Sequence, residues 1–122
     1  MVVNQVTKRA QLDLNRVVKY QILTYCYLNG VSVSESDLDC LTYLAFNPDI
    51  DLTDFCNNVS DEGIFKTPQS VRNAVTKAEK KDLVTKNGGN RKSIKLNPVM
   101  NIQVVAPVML DYKFLAVESQ EV

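Results

Sequence analysis

Two neighbouring stretches hold most of the side chains that could do chemistry. Across residues 67–81 the apolar residues Val71, Ala74, Val75 and Ala78 recur at helical spacing. That leaves Thr67 at the start and Gln69, Ser70, Arg72, Asn73, Thr76 and Lys77 facing outward. The segment KNGGNRKSIKLNP, residues 86–98, follows closely, with Lys86, Asn90, Arg91, Lys92 and Lys95 crowded around Gly88 and Gly89. Positive charge gathered at this density suits an anionic partner.

The charge is balanced in total but not in place. The chain of 122 residues has 14 basic and 14 acidic residues. From Tyr20 through Phe65 there is no Lys or Arg, against eight acids: Glu35, Asp37, Asp39, Asp49, Asp51, Asp54, Asp61 and Glu62. From Lys66 through Lys95 nine basic residues face only Glu79 and Asp82, a net charge of +7. The plain alternative to an anionic ligand is a solvated basic face whose field the acidic block cancels.

Catalysis finds little to work with. The chain has no histidine, no GxSxG and no metal-ligand cluster, so an enzyme is not expected, nor a metal or other cofactor. GGNRKS, residues 88–93, has a superficial likeness to a phosphate loop but lacks the GxxxxGK[ST] spacing and a following helix. Cys26, Cys40 and Cys56 are odd in number, contain no CxxC and sit within apolar patterns. They read as buried, reduced thiols in a cytosolic setting.

Certain elements must position these groups. Residues 13–28 carry Leu14, Val17, Val18, Ile22, Tyr25 and Leu28 at helical spacing, and Asn29-Gly30 stops that helix. A second helix begins at Ser34 or Ser36, buries Leu38, Leu41, Leu44 and Ala45, and ends before Pro48. A short third helix is capped by Asp51 and carries Leu52, Phe55, Cys56 and Val59. Thr67 caps the fourth, with Pro68 at its first position. A hairpin pairs residues 83–86 with 91–96 across the turn 87–90. Residues 101–105 and 108–116, split by Pro107, read as two extended segments too apolar for a free disordered tail. The start MVVNQVTKRAQL has no long apolar run, and the apolar run 104–110 is far too short to span a bilayer. A soluble, cytoplasmic protein without a membrane partner is the expectation.

The order helix, helix, short helix, polar helix, basic hairpin resembles the winged helix-turn-helix family, most nearly its MarR-like branch. The resemblance covers residues 34–98 and is carried by TPQSVRNAVTKAEKKDLVTKNGGNRKSIKLNP, residues 67–98. It implies an α+β, mainly α fold: a winged helix-turn-helix (34–98) with a long N-terminal helix and link (1–33), a β-hairpin wing and an extended, β-rich C-terminal tail (99–122), all in one domain. It also implies a helix that enters the major groove of double-stranded DNA. Thr67, Gln69, Ser70, Arg72, Asn73, Thr76 and Lys77 would then contact bases or phosphates, since Arg, Asn and Gln can make paired hydrogen bonds to base edges. Lys86, Asn90, Arg91, Lys92 and Lys95 would form the wing on the phosphate backbone.

Three features depart from the family pattern. Asp82 stands where members often have glycine before the Leu-Val strand. Residues 60–66 make a long link carrying Asp61 and Glu62. No long C-terminal helix is evident for dimerisation. Two functions fit: a regulator or initiator-like DNA-binding module of phage or plasmid type, or a structural assembly protein of a phage particle, such as a head–tail connector or tail ring component. The second would place the chain in the virion as well as the host cytoplasm. Its partners would be neighbouring subunits, met through acidic and basic faces and the apolar tail, and a homo-oligomer is expected.

Overall fold

The structure is a computed structural model that describes residues 2–11, 13–88, 92–105 and 109–117, with the backbone alone for 2–11, 109 and 110. Among these residues the chain is α+β and mainly helical. Its elements are β1 (Val2–Gln11), α1 (Leu14–Leu28), α2 (Glu35–Phe46), β2 (Ile50–Asp51), α3 (Leu52–Asp61), α4 (Pro68–Lys80), β3 (Val84–Asn87), β4 (Ser93–Leu96), a 3-10 turn (Pro98–Met100) and β5 (Met109–Val117). Two separate antiparallel sheets result. One has strand order β2-β4-β3, and the other is a two-stranded ribbon of β1 and β5.

The helices start where polar side chains meet their free amides. Asp13 accepts from the Arg16 amide, and Asp51 from that of Asp54. Ser34 and Asp37 form a reciprocal capping box. Thr67 Oγ1 accepts from the Ser70 amide at 3.1 Å, with Pro68 next to it.

Two helices end in the same way. After α1, Gly30 at φ 67° lets the Val31 amide reach back to the Cys26 carbonyl at 2.8 Å. After α4, Asp82 at φ 60° lets the Leu83 amide reach the Ala78 carbonyl at 2.9 Å. Both are Schellman closures, which need a left-handed residue one step past the cap. Asp82 therefore occupies a position built for glycine. Asn97 steadies it by donating from Nδ2 to the Asp82 carbonyl at 2.9 Å.

The core lies where α1, α2, α3 and α4 meet the three-stranded sheet. Ile22, Leu44, Phe55, Val59, Val71, Leu83 and Ile94 are fully buried in it, and the Tyr43 and Phe55 rings pack edge-to-face with centroids 5.9 Å apart. Each such aliphatic or aromatic side chain contributes about 1.5–3 kcal/mol by leaving water.

Several expected boundaries move. In α1 the inner face is Val17, Val18, Ile22 and Cys26, while Leu28 is exposed. The 3.6-residue period carries the stripe past Leu28 by the last turn. The hairpin strands are Val84–Asn87 and Ser93–Leu96, because Leu83 is taken by the α4 closure. Residues 101–105 have no regular structure. Gln21 holds them instead, donating from Nε2 to the Gln103 carbonyl and accepting from its amide, each at 2.8 Å. The second extended segment is β5, and its partner β1 lies in the first eleven residues, where no strand was expected. The two-residue β2 was not anticipated either.

Candidate functional site

Of the outward residues expected on α4, Gln69, Asn73 and Lys77 are exposed, and Ser70, Arg72 and Thr76 are half-buried. Gln69 Nε2 donates to Asn73 Oδ1 at 3.0 Å, one turn apart on the helix. That pair leaves the side-chain carbonyl of Gln69 and the amide hydrogens of Asn73 without a hydrogen-bond partner among the described residues. Three hydroxyls are partly committed. Thr67 and Ser70 share a 2.9 Å hydrogen bond, and Thr76 donates to the Arg72 carbonyl at 3.0 Å.

The hairpin joins this surface on one side. Arg72 of α4 and Lys86 of β3 both act on the buried Cys56 of α3. Burial pushes its thiol pKa up, and the two cations, Arg72 first, pull it down. Lys86 also reaches back to α4, with its Nζ 3.3 Å from Glu79 Oε1. Lys86 and Arg72 thus share a neighbourhood although fourteen positions apart in sequence.

Lys95 does not belong to that neighbourhood. The register pairs Lys86 with Ile94 and Thr85 with Lys95. Directly paired residues share a face and successive ones alternate. Lys86 is therefore on the face of the buried Ile94, and Lys95 is on the other. There Lys95 lines a groove with Leu44, Pro48, Asn97 and Ile102. Lys92 is exposed, and its carbonyl accepts from the Leu52 amide at 2.8 Å. Asn90 and Arg91 lie outside the described residues.

Part of the positive charge is already engaged. Lys77 Nζ is 3.9 Å from Asp37 Oδ2, and Lys81 Nζ donates to the Ser32 carbonyl at 2.6 Å. Among the described residues Lys66, Arg72, Lys80, Lys92 and Lys95 make no ion pair. Lys66 and Lys80, exposed at the two ends of α4, extend the basic surface beyond the residues singled out from sequence. The charge count signalled them; helical periodicity did not.

The long link before α4 has a structural cause. Helix α3 continues to Asp61, and Ile64 and Phe65 of the link pack against the core. Glu62 lines a groove with Asn15, Asp39, Tyr43 and Asn47, residues of α1, α2 and the α2 cap. No α4 residue lines that groove. Among the described residues no group of His, Cys, Asp and Glu could hold a metal, and no helix is long and apolar enough to cross a membrane. No family model matches the chain, and no curated protein or solved structure matches it.

Proposed function

We propose that this chain is a winged-helix protein that binds double-stranded DNA, with α4 in the major groove and the β3–β4 hairpin along the backbone. The observation that carries the reading is the exposed Gln69–Asn73 pair beside Arg72, on a helix flanked by the basic hairpin. Amide and guanidinium side chains are the ones that can make two hydrogen bonds to one base edge. Four helices and a small three-stranded antiparallel sheet are compatible with such a layout. Lys66, Lys80 and Lys92 are the candidate phosphate contacts, because they are exposed and make no ion pair among the described residues. Lys86 must first leave Glu79.

A salt titration against mixed double-stranded DNA tests this. Four to six neutralised phosphates give a log–log slope of roughly −4 to −5. Replacing Arg72 and Asn73 together with alanine removes sequence preference while leaving most of that slope. Absence of binding at low salt sinks the proposal.

A second reading, a structural assembly protein of a phage particle, draws on a different observation. The β1–β5 ribbon leaves Phe114, Leu115 and Val117 exposed. A discrete ring-sized particle without DNA affinity would decide for it.

A further inference from the structure

The chain has two Asn-Gly steps, Asn29-Gly30 and Asn87-Gly88. Such a step can modify itself. Glycine has no side chain to hinder its own amide nitrogen, so that nitrogen can attack the side-chain carbonyl carbon of the asparagine before it. The new C–N bond closes a succinimide ring. The bond to the side-chain nitrogen breaks, and ammonia leaves with the proton of the glycine amide. Water then opens the ring to aspartate or isoaspartate. Nothing is oxidised or reduced, and a neutral amide becomes a carboxylate.

The fold holds the two steps in opposite states. Asn29 is the C-terminal cap of α1, and its Nδ2 donates to the Tyr25 carbonyl at 2.8 Å. The Gly30 amide donates to the Tyr27 carbonyl at 3.3 Å. The leaving group and the attacking nitrogen are therefore both engaged. Asn87 pairs with Ser93 in the last rung of the hairpin, and Gly88 stands just beyond it at φ 100°. Both are exposed. Among the described residues neither the Asn87 side chain nor the Gly88 amide has a hydrogen-bond partner.

We propose that Asn87-Gly88 is a self-modification site, at which the folded chain converts Asn87 to a carboxylate while the end of α1 protects Asn29. The new charge falls on the basic hairpin, next to Lys86, and takes the net charge of residues 66–95 from +7 to +6. Isoaspartate also routes the backbone through the former side chain, which lengthens the chain by one atom beside the last rung. What this does to DNA affinity rests on the reading above; the chemistry does not.

Peptide mapping by mass spectrometry tests the site. The full chain without DNA is kept at physiological temperature and mildly alkaline pH, in buffer and in concentrated guanidinium. In buffer the peptide holding Asn87 should gain the mass of acid over amide, as separable aspartyl and isoaspartyl forms. It should do so about tenfold faster than the peptide holding Asn29, which must first give up two hydrogen bonds. In guanidinium the two rates should converge. Asn29 converting as fast as Asn87 in the folded chain overturns the inference. So does a rate ratio that guanidinium leaves unchanged, or an Asn87 that converts only in guanidinium. Asn87→Asp then reports the consequence: its log–log salt slope on duplex DNA should be shallower by roughly 0.9. An unchanged slope overturns that consequence. If neither wild type nor Asn87→Asp binds DNA, the DNA reading fails, and the mass measurements still decide the modification site.

Discussion

Phe55 and Phe114 are the same side chain in opposite circumstances. Phe55, on α3, is 0% exposed and packs edge-to-face with Tyr43, ring centroids 5.9 Å apart. Phe114, on β5, packs edge-to-face with Tyr112, ring centroids 5.4 Å apart, and remains largely in water. An aromatic partner is thus not what buries a residue. Phe55 is enclosed because α2, α4 and β3 close around it, with Leu41, Leu44, Val75, Ala78 and Val84 beside it. Phe114 has only the neighbours that two strands provide, and a two-stranded ribbon offers no second layer to enclose it. The helical body encloses a core, while among the described residues the ribbon contributes nothing to it.

The largest expected effect follows directly. Phe55→Ala should cost about 3–5 kcal/mol in urea unfolding, since a fully enclosed ring leaves a cavity. Phe114→Ala, measured on dilute chain, should stay within about 0.5 kcal/mol of wild type. If the two substitutions cost the same in dilute solution, the ribbon is packed within its own chain and the contrast fails.

Alkaline pH sharpens the same contrast, because all three cysteines lie in the helical body and none in the ribbon. Burial raises each thiol pKa. Cys40 is pushed up to about 12, by burial first and then by the neighbouring Asp37 and Cys56. In the unfolded chain these thiols ionise near their ordinary values, while the folded body keeps them protonated. Unfolding therefore releases protons above that range, and stability falls as pH rises. The stabilising contribution is complete below about pH 8.5. It is lost towards pH 12 at about 1.4 kcal/mol per pH unit for Cys40. Lys19 adds a loss of the same sign, its pKa being raised by hydrogen bonds to Glu35 and Asp39. Urea midpoints measured from neutral to strongly alkaline pH would show the fall, and Cys40→Ala should flatten it.

The body was legible in the sequence because its signals are local. Asp51 and Thr67 announced two helix starts and Ser34 or Ser36 a third, which the structure sets at Ser34; Asn29-Gly30 announced one stop, and Leu52, Phe55, Cys56 and Val59 a stripe that is wholly buried. The ribbon was legible only by half. The stretch 108–116 is rich in strand formers and alternates charged with aromatic residues from Asp111 to Phe114, but the partner strand lies about a hundred positions away in VVNQVTKRAQ. That segment mixes apolar, amide and basic residues, so periodicity alone does not mark it as a strand. Nor does β2 carry a local signal. Two residues form it because Ile50 and Asp51 fall beside Ile94 and Ser93 once the helices have packed. The candidate site was legible as a composition and less so as a geometry. The +7 block is real, yet Lys86 is tied to Glu79, and Lys95 turns to the other face of the hairpin.

The smallest expected effect concerns how finely those local signals are tuned. Gly30 and Asp82 hold equivalent places in two Schellman closures, at φ 67° and φ 60°. A Cβ on Gly30 would meet nothing within 4 Å, so Gly30→Ala is charged only for the left-handed backbone. Its net cost should be about 1 kcal/mol after the more restricted unfolded chain is counted. Asp82 already bears part of that strain, which aspartate tolerates better than most residues. Asp82→Gly relieves it and gives back some unfolded-state entropy, for a net gain of about 0.5 kcal/mol. Asp82→Ala should lose about the same amount. Opposite signs for Gly30→Ala and Asp82→Gly in urea unfolding would show that both helix ends are set by backbone conformation. Equal signs would mean that the Asp82 carboxylate stabilises the end of α4 directly, and the equivalence between the two closures would fail.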